Sequence, residues 1–200
     1  MPKVVDPEER REHIARVSAQ TIAEIGLEQT TMREIAQRAG VSKGVVEHYF
    51  TNKEEVIDSA LAWMNARYIR RETRHLARHQ GLAALRARLY CALPLTPESV
   101  HEWKIRLRFW SLATVSETAR DAQRRRLNLT RNRFVTDLEQ ARQMREIPQR
   151  INCADIADTL MHFVAGLACN ALLDPDHYHK IYLRSAVDKA VAQLAKGVTP

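Results

Sequence analysis

Residues 42–50 read Ser-Lys-Gly-Val-Val-Glu-His-Tyr-Phe, a run short enough to be two helical turns and dense in groups that can do chemistry. On a helix, Lys43, Gly44, Val45, Glu47 and His48 point one way, while Val46 and Phe50 point the other. The first set can read a nucleic-acid duplex. Lys43 donates to phosphate or guanine, Gly44 lets the backbone come close, and Val45 can touch a thymine methyl group. Glu47 can accept from cytosine N4, pair with Lys43 one turn back, or lie solvated. Tyr49 can reach phosphate from a body packed inward. Thr31, Arg33 and Lys53 lie at neighbouring helix starts, where backbone amides also favour phosphate, and Ser42 caps the run itself.

Other candidate chemistry is thinner. His75 and His79, and His177 and His179, are pairs, and two ligands do not make a metal site. The cysteines Cys91, Cys153 and Cys169 lie inside helical patterns without CxxC spacing, as buried reduced thiols would. No glycine-rich phosphate loop, G-x-S-x-G or HExxH occurs, so the expectation is no enzyme, no metal and no cofactor beyond a small-molecule effector. Arg124, Arg125, Arg126, Arg131 and Arg133 point all round one helix and read as a solvated, ion-paired face. The net charge of +7 over 200 residues arises in residues 81–150, with 14 Lys/Arg against 7 Asp/Glu. Residues 1–50 carry 7 against 8, so duplex binding there must rest on local geometry rather than bulk charge.

The elements that would position these groups are legible from their punctuation. Asp6 with Pro7, Thr31 with Glu34, Ser42, and Asn52 with Glu55 mark four helix starts in some fifty residues, and Gly26 and Gly40 mark stops. The stretch from Thr31 to Phe50 is thus helix, Gly-Val-Ser turn, short helix: the helix-turn-helix plan, whose second helix enters the major groove. Leu82, Leu85, Leu89 and Leu93 form one stripe, Thr96-Pro97 opens another helix, an arginine-rich helix runs from about 117 to 146, and Asn152 caps an apolar one. The last is expected from about Asp176 to Lys196. The expected fold is all-α with about nine helices: a helix-turn-helix domain over 1–52 and a helical effector-binding and dimerisation domain over 53–200. No run approaches 18 apolar residues and the N-terminus has no signal-peptide core, which predicts a cytoplasmic protein without a membrane.

The run Thr31-Met-Arg-Glu-Ile-Ala-Gln-Arg-Ala-Gly-Val-Ser-Lys-Gly, with His48-Tyr49-Phe50 and Asn52-Lys53-Glu54, resembles the DNA-binding domain of the TetR family of transcriptional regulators over about residues 10–56. The resemblance implies a three-helix DNA-binding domain, a hinge-like fourth helix and a C-terminal domain that dimerises and usually binds an effector. The family often has Tyr where this chain has Glu47. The Leu-Pro-Leu segment and the stretch from Glu102-Trp103 to Phe109-Trp110 resemble the BetI-type regulators, typified by a choline-responsive repressor.

A single helix-turn-helix makes too few contacts for a selective site, so a homodimer on a palindromic operator is expected. The expected interface is a four-helix arrangement of roughly 152–195 from each chain, through Ile156, Leu160, Val164, Leu167, Leu172, Val187 and Val191. Candidates for an effector pocket are Trp63, Tyr90, Trp103, Leu107, Trp110 and Phe163. With Glu102 or Glu117 nearby, such aromatics can hold a cation; plain core is the alternative for an aromatic stripe at this spacing. The expected function is a repressor released from its operator by a small molecule. The alternatives are a DNA-binding module without an effector, architectural or controlled by a partner protein, and a helical enzyme.

Overall fold

The computed structural model describes residues 6–199. Among them it has nine helices and no strand. Asp6 Oδ1 accepts from Glu8 N and opens α1 (Pro7–Ile25). Thr31 Oγ1 accepts from Glu34 N and opens α2 (Met32–Ala39), which ends at Gly40 in the left-handed region, φ 66°. Ser42 then caps α3 (Lys43–Tyr49). Asn52 Oδ1 accepts from Glu55 N at the start of α4 (Lys53–Leu76). There follow α5 (Gly81–Ala92), α6 (Pro97–Val115), α7 (Glu117–Gln143), α8 (Cys153–Leu173) and α9 (Lys180–Ala195).

Two boundaries differ from the expectation. The last helix begins at Lys180 rather than near Asp176, because Asp174 Oδ1 accepts from His177 N and turns the chain, and His179 Nδ1 becomes the cap by accepting from Tyr182 N. The arginine-rich helix stops at Gln143, where Arg145 takes φ 60° and Glu146 N returns to Ala141 O.

The chain forms two compact units: residues through Arg70 with Lys104–Arg108, and Arg71–Trp103 with Phe109 onward. The first contains a core of Ile14, Ile35, Ala36, Val46, Phe50 and Val56, so α1, α2, α3 and the start of α4 close on one another. The second is built round the leucines of α5, Phe134 and Leu138 of α7, and the inner faces of α8 and α9. By length and composition α8 could cross a membrane, yet Ile156, Ala157, Leu160, Val164 and Ala168 are buried in the unit's own core.

That burial corrects the residue-level expectation for the interface. Ile156, Leu160, Val164, Val187 and Val191 are buried inside their own chain. Leu167 and Leu172 are partly buried against the same core. Apolar side chains left outside include Leu173, 83% exposed, and Ile181, 77% exposed.

The second unit also buries charge. Arg88 donates to both oxygens of Asp137 and lies 2.7 Å from Glu72, which Arg133 approaches as well at 3.2 Å. Arg71 grips Glu102 with two hydrogen bonds of 2.7 and 2.6 Å. These pairings fix the end of α4 against α5, α6 and α7 within the unit.

Candidate nucleic-acid interface

The helix-turn-helix is held by apolar burial on one side and by polar contacts from α1 on the other, Arg11 among them. Val46 and Phe50 are fully buried, and Val41 in the turn packs on the same core. Arg11 of α1 lies over the Phe50 ring at 4.6 Å, donates to Tyr49 O at 2.8 Å and to Glu55 Oε1 at 2.9 Å. One guanidinium thereby ties α1 to the end of α3 and the start of α4. Glu55 in turn accepts from Thr51 N at 2.8 Å. Nothing local in the sequence marks Arg11, because its partners are about forty positions away.

The Thr51 amide, and after it Arg11, hold the Glu55 carboxyl below the usual carboxylate range. A group with a lowered folded-state pKa stabilises above its unfolded value and loses that contribution as pH falls through the folded one. Acidification below the ordinary glutamate range therefore loosens the α3–α4 junction. Amide protection at Thr51 and Phe50 relative to the intrinsic exchange rate, followed from neutral to acidic pH, will show it, and in Glu55→Gln that protection should no longer fall with acidification.

The outward face is then free for a duplex. Ser42, Lys43, Gly44, Glu47 and His48 are exposed, and Val45 and Tyr49 are half-buried. Lys43 Nζ lies 2.6 Å from Glu47 Oε1, so of the roles open to Glu47 the free chain adopts the pairing with Lys43. The His48 ring stands edge-on to Tyr49 at 5.1 Å. Thr31 and Arg33 are exposed at the start of α2. Lys53 departs from this set: its ammonium donates to Leu27 O at 2.7 Å, bracing α4 against the α1–α2 connection rather than standing out toward phosphate.

Gly44 gives a separable test. A Cβ there would meet only Ser42 Oγ, at 3.9 Å. Gly44→Ala is therefore expected to raise stability by about 0.5–1 kcal/mol, while cutting affinity for duplex because a methyl group now stands on the docking face. A melting curve and a binding isotherm on the same sample read the two effects.

The predicted pocket residues divide between the two units. Trp63 lines a surface cleft with Glu9, Glu12, His13, Arg16, Arg67 and Arg70, and Arg67 lies over its ring at 5.5 Å. Leu107 is half-buried in the same unit. In the second unit Trp103 is core: it is 3% exposed and its indole N–H donates to Ala92 O at 2.7 Å. Trp110 stands edge-on to it at 5.8 Å. Tyr90 donates to Asp188 at 2.6 Å beneath Arg184, and burial raises its pKa. Phe163 packs on the core from α8. Glu102, proposed as a counter-charge for a cation, is committed to Arg71, and Glu117 is exposed. Cys153 is buried, whereas Cys91 and Cys169 are only partly so; burial pushes the Cys91 and Cys153 thiols up.

This geometry has counterparts. Residues 14–60 match the profile of bacterial regulatory proteins of the tetR family, and residues 81–196 match that of the C-terminal part of BetI-type transcriptional repressors. The chain belongs to the TetR family. It is a DNA-binding transcriptional regulator with the helix-turn-helix at its N-terminal end. The regulator BetI of Paraburkholderia phymatum is 31% identical over 98% of this chain and 100% of its own. The regulator PksA of Bacillus subtilis is 26% identical over 97% and 94%. A transcriptional regulator of Rhodococcus sp. Rha1 superposes with a TM-score of 0.82 at 28% identity, covering 95% of this chain and 98% of that one. A protein of Saccharomonospora viridis, solved in complex with choline, gives 0.82 at 18% identity over 92% and 96%. The BetI-type likeness of the TetR-family C-terminal half thus extends through α5–α9, well beyond the two segments that first carried it.

Proposed function

We propose that the chain is a homodimeric repressor, acting in the cytoplasm, that holds a two-fold symmetric operator through α3 of each protomer and leaves it when a small ligand occupies the helical domain. The observation that carries this is the outward face of α3, presented by a capped helix whose opposite face is buried. Residues 1–52 serve as the DNA-binding domain and 53–200 as the effector and dimerisation domain. Lys43, Gly44, Val45, Glu47 and His48 meet base edges; Ser42, Thr31, Arg33 and Tyr49 meet phosphate.

The dimer surface is assigned to the outer faces of α8 and α9. On α8, Gly166 opens to empty space, with Cys169 and Leu173 following it one and two turns on along the same stripe. On α9, Ile181, Ser185 and Ala192 line a shallow groove. Helix α4 carries the signal. It begins at Lys53 and runs to Leu76, and Glu72 near its end is fixed by Arg88 of α5 and Arg133 of α7. A ligand that shifts α5 or α7 therefore moves α4, and a coupling of about 1–3 kcal/mol suffices for regulation. The choline bound by the S. viridis protein supports a cationic effector; with Glu102 held by Arg71, such a cation would rest on indole faces.

The test is fluorescence anisotropy with a duplex from the chain's own upstream region and a scrambled control, across a salt series. Tight binding to the upstream duplex alone, lost at least tenfold in Lys43→Ala, is the expected result. Equal and steeply salt-dependent binding to both duplexes would refute operator recognition. Selective binding that no metabolite disturbs would replace the effector reading with a module under other control.

A further inference from the structure

The face that α3 offers to DNA carries one ammonium and one carboxylate, and they are already joined at 2.6 Å, with side chains 57% and 48% exposed. A carboxylate on a docking face works against affinity, because every phosphate repels it. The major groove offers it one kind of base partner, an exocyclic amino group on cytosine or adenine. Joined to Lys43, the Glu47 oxygen forms a compact tip with a donor and an acceptor side by side. A G·C pair presents the matching edge: guanine O6 accepts beside cytosine N4, which donates. The two base atoms are about 2.9 Å apart because they are hydrogen-bonded to each other.

An A·T pair fits less well. Guanine places N7 and O6 together, so one ammonium can straddle both, whereas adenine puts an amino donor between its N7 and thymine O4. The thymine methyl group also stands on the pyrimidine side where the carboxylate must approach.

We infer that the Lys43–Glu47 pair reads a single G·C base pair in each half-site, Lys43 on guanine O6 and N7 and Glu47 on cytosine N4. This rests on the assignment of α3 as the recognition helix. The local structure suits the task. The Ser42 cap fixes where α3 begins, so the two side chains leave from consecutive turns of a defined helix. Gly44, beside Lys43 on the same face, has no side chain to hold the pair away from the groove, and Val46 and Phe50 anchor the opposite side. The pair also explains why a helix meant for DNA carries no net charge in its first two turns: Lys43 is held for a base and kept from the nearest phosphate.

The experiment is selection of binding sites from a randomised duplex library by the full chain, with Glu47→Ala, Glu47→Gln and Lys43→Ala alongside and melting curves to confirm folding. Wild type is expected to fix one G·C pair in each half-site. Glu47→Ala should lose preference there by about tenfold or more and keep the other positions. Its salt dependence should steepen by about one phosphate contact, a slope change near 0.9, as Lys43 turns to the backbone. Glu47→Gln should shift that position toward adenine, which glutamine reads through N6 and N7. If Glu47→Ala selects the same bases as wild type with the same stringency, Glu47 is a bystander and the inference falls while the recognition helix stands. If wild type selects no sequence at all, the assignment of α3 itself fails.

Discussion

An Arg88→Met variant is expected to be about 3–5 kcal/mol less stable than the parent chain, lowering the melting temperature by about 10 °C for a chain of this size. The reason is what the arginine leaves behind. Glu72 and Asp137 are 4% and 3% exposed, and Arg88 is the bidentate partner of Asp137 and the shorter contact of Glu72. Removing it takes the bidentate partner from Asp137 and the shorter contact from Glu72 in a poorly hydrated site, and the lost attraction is small beside that penalty. The companion measurement separates the two terms. Arg88→Met combined with Glu72→Met and Asp137→Leu removes both buried carboxylates as well and should recover most of the stability, since apolar groups of similar volume commonly match a buried ion pair. Thermal unfolding by circular dichroism decides it: a triple variant no better than the single one would show that the network itself, rather than its disruption, sets the stability. The triple variant would also release the end of α4 from α5 and α7 while Arg71 still holds it to Glu102, so on the mechanism proposed above it should bind operator yet respond poorly to ligand.

On the dimer surface proposed above, Gly166→Arg is expected to leave each chain folded, to give a monomer in sedimentation where the parent gives a dimer, and to weaken operator binding strongly. A Cβ at Gly166 meets nothing within 4 Å, so the substitution costs the isolated chain nothing and removes a helix-interior glycine worth about 0.5–1 kcal/mol. Across a seam between two copies of α8, the same arginine would meet its symmetry mate, because a two-fold interface sets each patch against itself. Loss of the dimer leaves one half-site per binding event, which is why the effect on affinity is large. A Gly166→Arg chain that remains dimeric would move the interface elsewhere.

Most helix starts, and the split of α3 into an inward and an outward face, were legible in local residues. Helix caps act over two or three residues, so Asp6, Thr31, Ser42, Asn52, Thr96 and Asn152 could be located without knowing anything distant, and each accepts the backbone hydrogen bond that its position demands. The inward set of α3 was equally local, since Val46 and Phe50 are separated by one helical turn. His179 escaped because a histidine cap is uncommon and Asp176 offered a more familiar start. Arg11 and Arg88 escaped for a different reason: their partners lie tens of positions away, and periodicity holds no information about which distant carboxylate will be brought alongside. The apolar residues of α8 show the same limit most plainly. Their number foretold burial on more than one side, but a helical repeat says only which residues share a face, not what covers it. Only the packing of α8 on α7, within the core shared with α5 and α9, decided that Ile156, Leu160 and Val164 fill their own chain's core, leaving Gly166 and Leu173 exposed and Cys169 partly so.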